Sequence, residues 1–126
     1  MVRLLHTMLR VKNIGETLEF YGKYFDVKEQ SKLEKPSGKI IIFAGHGPQG
    51  NTTILEFSQK PGPFPSSETF DFVHIAFEVT DIHELFDRFR QDGVEIIKEP
   101  RIDLDEEWIG SVRDPNGYKV EAIQYL

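Results

Sequence analysis

At 126 residues, 39% hydrophobic and 29% charged, the chain has the size and composition of one globular domain with a core of its own. No run of about eighteen apolar residues spans a membrane, the start lacks the charged, apolar, small-residue order of a signal peptide, and a net charge of −6 without a basic stretch disfavours nucleic acid as partner. The absence of cysteine removes disulfides, thiol nucleophiles and zinc-thiolate sites, so any metal must be held by His, Asp or Glu, in a reducing cytoplasm.

The first predicted element is a strand, LLHTMLRV (4–11). Side chains alternate along a strand, so Leu5, Thr7, Leu9 and Val11 form a core face. Leu4, His6, Met8 and Arg10 turn the other way. Asn13 then caps a helix over 13–25, with Ile14, Leu18, Tyr21 and Phe25 at helical spacing. KIIIFAG (39–45) and NTTILEF (51–57) read as strands. KPGPFPSSE (60–68), with three prolines and a glycine, reads as a joint. FVHIAFEV (72–79) alternates again, with Val73, Ile75, Phe77 and Val79 inward and Phe72, His74, Ala76 and Glu78 outward. Asp81 caps a helix over 81–93 that turns Ile82, Leu85, Phe86 and Phe89 inward and stops at Gly93. GVEIIKE (93–99) and Trp108 to Val112 follow as strands. DPNG (114–117) is the turn before the last strand, YKVEAIQYL (118–126).

The two halves repeat each other. HTMLRVKNI (6–14) laid over HIAFEVTDI (74–82) matches histidine with histidine, valine with valine and isoleucine with isoleucine. NTTILEFSQ (51–59) laid over NGYKVEAIQ (116–124) matches Asn, Glu and Gln. Such self-similarity marks a duplicated supersecondary unit. Each copy is predicted to be βαβββ, over about 1–59 and 70–126, joined by the proline-rich segment 60–69. The fold class is therefore α+β, two βαβββ modules in one domain over 1–126.

Four ionisable side chains recur in that repeat on the faces turned away from the core: His6, Glu56, His74 and Glu121. A lone histidine there is ordinarily a satisfied polar residue, and a lone strand glutamate a solvated charge. Four in duplicated register are harder to set aside. Buried unpaired carboxylates cost several kcal/mol, so convergence of the four needs a cation. Two imidazoles and two carboxylates suit a six-coordinate divalent metal with two positions left for water or substrate. The remaining histidines carry less: His46, in HGPQG, reads as an exposed loop residue and His83 as a solvated one. Trp108 suits a cap over the site mouth, a core position or an interface.

Taken together, LLHTMLRV, ILEF with Glu56, FVHIAFEV with His74 and DPNGYKVE with Glu121 resemble the glyoxalase I family of the vicinal oxygen chelate superfamily, over nearly the whole chain. The resemblance implies curled mixed sheets with the helices outside and a homodimer with its sites at the subunit interface. His6 and Glu56 of one chain and His74 and Glu121 of the other would then hold one divalent metal ion per site. A histidine at the first ligand position looks like the forms activated by nickel or cobalt, with zinc possible. The implied activity is that of a lactoylglutathione lyase-like metalloenzyme. It would convert the hemithioacetal of an α-oxoaldehyde, methylglyoxal, and a thiol, glutathione, to an S-lactoyl thioester through an ene-diolate. Glu121 is the implied catalytic base and Glu56 its opposite number. Arg10 matches a family arginine that holds a glutathione carboxylate, and Lys98 a lysine of the glutathione pocket. The chain departs from the family at Lys60, where asparagine is usual, at Phe70, where some members have arginine, and in the acidic stretch DLDEEW (103–108). Lys60 could replace a lost charge. Two alternatives remain: a family-like enzyme acting on another substrate, and a metal-free binder of a small molecule or antibiotic.

Overall fold

A computed structural model describes residues 3–47, 54–64 and 74–126. Positions 51–53 and 72–73 of two predicted strands, Phe70, and 65–69 of the predicted joint lie outside the described residues. The chain divides into two compact units, Met1–Pro65 and Ser66–Leu126.

The first unit runs β1 (His6–Arg10), α1 (Ile14–Phe25), β2 (Lys28–Glu34), β3 (Ile40–Gly45) and β4 (Ile54–Gln59). The second runs β5 (His74–Glu78), α2 (Ile82–Asp92), β6 (Ile96–Asp103), β7 (Glu107–Arg113) and β8 (Lys119–Tyr125). Strand order is β1-β4-β3-β2 in one sheet and β5-β8-β7-β6 in the other. In both, the first strand pairs parallel with the last and the other pairings are antiparallel. The fold is thus two copies of βαβββ, each an open four-stranded mixed sheet with one helix.

Each helix starts where its sequence says it should. Asn13 and Asp81 are extended N-caps whose side chains accept from Glu16 N and Glu84 N, covering donors the helix leaves open. A second acceptor was hidden in the repeat. Gln59 Oε1 accepts from Ile14 N at 2.7 Å, and Gln124 Oε1 accepts from Ile82 N at 2.8 Å. The matched glutamines therefore tie the end of each unit's last strand to the first residue of its helix. The inward faces then pack. Tyr21 stacks on Phe57 at 5.4 Å, and Phe86 meets Phe89 edge-on at 5.1 Å. All four are buried, each contributing about 1.5–3 kcal/mol of apolar burial.

Two predicted details change. Leu18 is only half-buried, and Thr17 and Phe20 join the inward face of α1. Along the predicted strand 4–11, Leu9 and Val11 are buried as predicted, but Leu5 is 53% exposed and Thr7 is also exposed. β1 is the edge strand of its sheet, and Leu5 precedes its first residue, His6. β2 carries no alternating hydrophobic pattern in KEQSKLE and is almost wholly exposed. It exists because β3 offers it a ladder, with a register shift between Glu29 and Ser31. β6 extends through Pro100 to Asp103, beyond the predicted end at Glu99. Proline is tolerated there because β6 is an edge strand with a register shift between Lys98 and Arg101.

Candidate metal-binding and catalytic site

The faces away from the helices carry the candidate residues. In the first unit, Met8, Glu56, Phe43 and Ser31 form one row across β1, β4, β3 and β2. Paired positions point to the same side. His6, paired with Ile54, stands one pleat from that row. Its Nε2 lies 3.2 Å from Glu56 Oε1, and its ring meets Phe43 edge-on at 5.2 Å. In the second unit the corresponding row is Ala76, Glu121, Ser111 and Lys98. His74, paired with Lys119, places Nε2 2.8 Å from Glu121 Oε1. The diagonal of His to Glu is identical in the two ladders, so the repeat in the sequence is a repeat in space.

Both glutamate side chains are 15% exposed, while the imidazoles are 37% and 49% exposed. Each pair is therefore a shielded carboxylate with a more open ring beside it. The turn DPNG sets β8 in register. Asp114 Oδ1 accepts from Asn116 N at 2.8 Å and Tyr118 N at 2.9 Å, and Gly117 takes φ 97°, a conformation that favours glycine. Asp114 and Asn116 are buried in this turn, and β8 leaves it at Lys119, two residues before Glu121.

The remaining candidates are distributed unevenly. Arg10 lies on the same strand face as His6, and its Nη2 donates to Pro63 O at 3.1 Å. Lys98 is exposed and shares the row of Glu121. Lys60 is exposed beyond the end of β4, outside the row of Glu56. The acidic stretch is not an open loop. Asp103 ends β6, Glu107 begins β7, and between them Leu104 and Asp105 take φ 54° and 56° in a tight hairpin. Trp108 stands on the helix side of β7, 4.6 Å from the His83 ring, so it is no cap over the Glu121 face. His46 is exposed as expected, yet its Nε2 lies 2.7 Å from Phe25 O at the end of α1.

The donor chemistry fits a divalent metal, one imidazole nitrogen and one carboxylate oxygen per unit. Among the described residues no three His, Cys, Asp or Glu side chains gather in one group. Each unit brings together one such pair, His6 with Glu56 and His74 with Glu121. Sequence reasoning missed Ser111, a buried serine opposite Glu121. The signal was the strand spacing, which puts it on the outward face of β7.

A duplicated βαβββ chain with a histidine on the first strand and a glutamate on the last strand of each unit has the architecture of a glyoxalase-like protein. The chain belongs to the Glyoxalase/Bleomycin resistance protein/Dioxygenase superfamily, whose family model matches residues 3–122. It is similar to the lactoylglutathione lyase of Neisseria meningitidis, 34% identical over 98% of this chain and 91% of that protein. It is 33% identical to a probable lactoylglutathione lyase of Synechocystis, over 96% of this chain and 94% of that protein. Among solved structures, the trypanothione-dependent glyoxalase I of Leishmania major is 29% identical, with a TM-score of 0.83 over 98% of this chain and 87% of that chain. No helix among the described residues is long and apolar enough to cross a membrane.

Proposed function

We propose that the chain is a cytoplasmic enzyme of the glyoxalase I type. It acts as one domain over 1–126, on the hemithioacetal of methylglyoxal and glutathione. The observation that carries this reading is the pair of His–Glu contacts at one ladder register in two units. They occur in a chain about a third identical to lactoylglutathione lyases along nearly its whole length. His6, Glu56, His74 and Glu121 would hold one divalent ion, nickel or cobalt favoured and zinc possible. When bound, such an ion supplies Lewis acidity that lowers the cost of negative charge on the substrate oxygens.

The protein's own groups move the proton. The Glu121 carboxylate takes it from C1, the electron pair stays in the substrate as an ene-diolate, and the same proton returns to C2 while the hydroxyl proton passes from the C1 oxygen to the C2 oxygen, leaving the thioester. No atom is gained or lost. Glu56 occupies the mirror position, and the two imidazoles would fix the metal. Arg10 and Lys98 are the candidate partners for the glutathione carboxylates, with Lys60 a further positive charge at the rim.

The same reading assembles two chains about a two-fold axis, His6 and Glu56 from one and His74 and Glu121 from the other. β1 and β5 are edge strands, and Leu4 and Leu5 just before β1 and Met8 within it are exposed. Exposed apolar edges of this kind are ordinarily covered by a partner. The test is metal content and turnover together. Glu56→Ala and His74→Ala should each lose most bound nickel and nearly all thioester formation while keeping the folded circular dichroism spectrum. Full metal occupancy in both variants would overturn the ligand assignment. A parent protein holding less than about half an ion per chain after nickel, cobalt or zinc loading would favour the metal-free binder, since a six-coordinate site should fill.

A further inference from the structure

We propose that Ser111 is a positioning residue for Glu121, its hydroxyl receiving the carboxylate when that side chain turns from His74 and holding it in the orientation that takes the substrate proton. The inference rests on Glu121 being the proton acceptor. Ser111 is 2% exposed, and its Oγ has no hydrogen-bond partner. A buried hydroxyl without a partner is costly, and serine between Gly110 and Val112 gains little by packing, so a resting role explains it poorly. It stands directly opposite Glu121 in the β7–β8 ladder. Directly opposed side chains have their Cβ atoms about 4.5–5.5 Å apart, so a change of Glu121 rotamer brings carboxylate and hydroxyl together. In the present arrangement the carboxylate is engaged elsewhere, on His74 Nε2 at 2.8 Å.

The first unit lacks this device. The residue opposite Glu56 is Phe43, whose ring lies against His6 and offers no donor. Glu56 therefore has its imidazole and no hydroxyl across the ladder, whereas Glu121 has two resting places. A carboxylate that must leave one partner, accept a proton and return it needs the second. The duplication makes the two glutamates mirror images, and this row is where the mirror breaks. The other buried hydroxyl without a partner, Ser58 Oγ, is opposite Arg10 and Ile41 and faces no carboxylate across its ladders. It serves as the control.

Ser111→Ala, Ser111→Thr and Ser58→Ala are compared with the parent as the nickel-loaded enzyme, as the metal-free protein in thermal melting, and as the cobalt-loaded protein by visible absorption. Ser111→Ala should lower kcat about tenfold, or about 1.4 kcal/mol, with KM within about twofold. Its metal-free melting temperature should stay level or rise, because an unsatisfied hydroxyl has been removed. Ser111→Thr, which keeps the hydroxyl, should recover most of kcat, and Ser58→Ala should leave it unchanged. A Ser111→Ala enzyme with kcat within about twofold of the parent, or equal losses in the Ala and Thr variants, overturns the proposal. If the parent itself forms no thioester, the functional reading fails separately and the cobalt spectrum decides. A band altered by Ser111→Ala and not by Ser58→Ala supports the coupling to Glu121, and unchanged bands in both overturn it.

Discussion

Replacing Gln124 with leucine should destabilise the protein by about 1–3 kcal/mol, the cost of leaving a buried backbone donor unpaired. The donor is Ile82 N, which gives its hydrogen to Gln124 Oε1 at 2.8 Å. Ile82 is fully buried, so water cannot take the place of the amide. The other acceptor at this terminus, the Asp81 side chain, is committed to Glu84 N. An unfolding entropy of about 2.1 cal/mol/K per residue gives roughly 0.26 kcal/mol/K for 126 residues. Each kcal/mol then lowers the melting temperature by about 4 °C, and the expected fall is about 4–11 °C. Gln124→Glu keeps an acceptor oxygen and adds a negative charge at a helix N-terminus, which is favourable. It should remain within about 2 °C of the parent by calorimetry. The reasoning is refuted if the Leu and Glu variants fall equally, or if Gln124→Leu melts within about 1 °C of the parent.

Glu121→Gln should cut turnover about a hundred- to ten-thousand-fold, the usual loss for a general base, and hurt metal binding much less, since an amide oxygen still coordinates. Kinetics at matched metal occupancy beside Glu56→Gln check it, and retention of more than about a tenth of turnover by Glu121→Gln alone would reverse the two roles. His6→Ala chains mixed with Glu121→Ala chains should recover activity that neither has alone, because one site of the mixed dimer collects both lesions and the other none. No recovery after verified subunit exchange would put all four ligands in one chain. Gly110→Ala should cost about 1–3 kcal/mol by overpacking, because its Cβ would sit 2.6 Å from Phe86 Cζ; thermal melting reads the loss. Asp26, which ends α1 at φ 56°, should tolerate glycine, whereas Asp26→Val should cost about 1–2 kcal/mol in the left-handed region, again read by melting.

Much of this architecture was legible because the sequence states it twice. Both N-caps, the inward face of α2 and the DPNG turn follow from local chemistry that tertiary context did not override. β2 was not legible, because KEQSKLE is an exposed edge strand whose partner supplies its order. Leu5 illustrates the opposite failure. Alternation assigns it a face but cannot say that it precedes the first residue of an edge strand. At the site, the histidines and glutamates announced themselves through the repeat, and the matched glutamines did so without revealing that they cap helices. For Ser111 the strand spacing gives its face and nothing more. Its meaning comes from the residue across the ladder, and a single strand does not show its neighbour.

The central claim is that these groups isomerise a hemithioacetal of methylglyoxal. Nickel-loaded protein mixed with methylglyoxal and glutathione, followed by thioester absorbance against a chelator-treated control, tests it most directly. The expected result is rapid thioester formation by the loaded protein, abolished by the chelator and restored by added nickel. Thioester at the uncatalysed rate, from protein with its metal site filled, would contradict it.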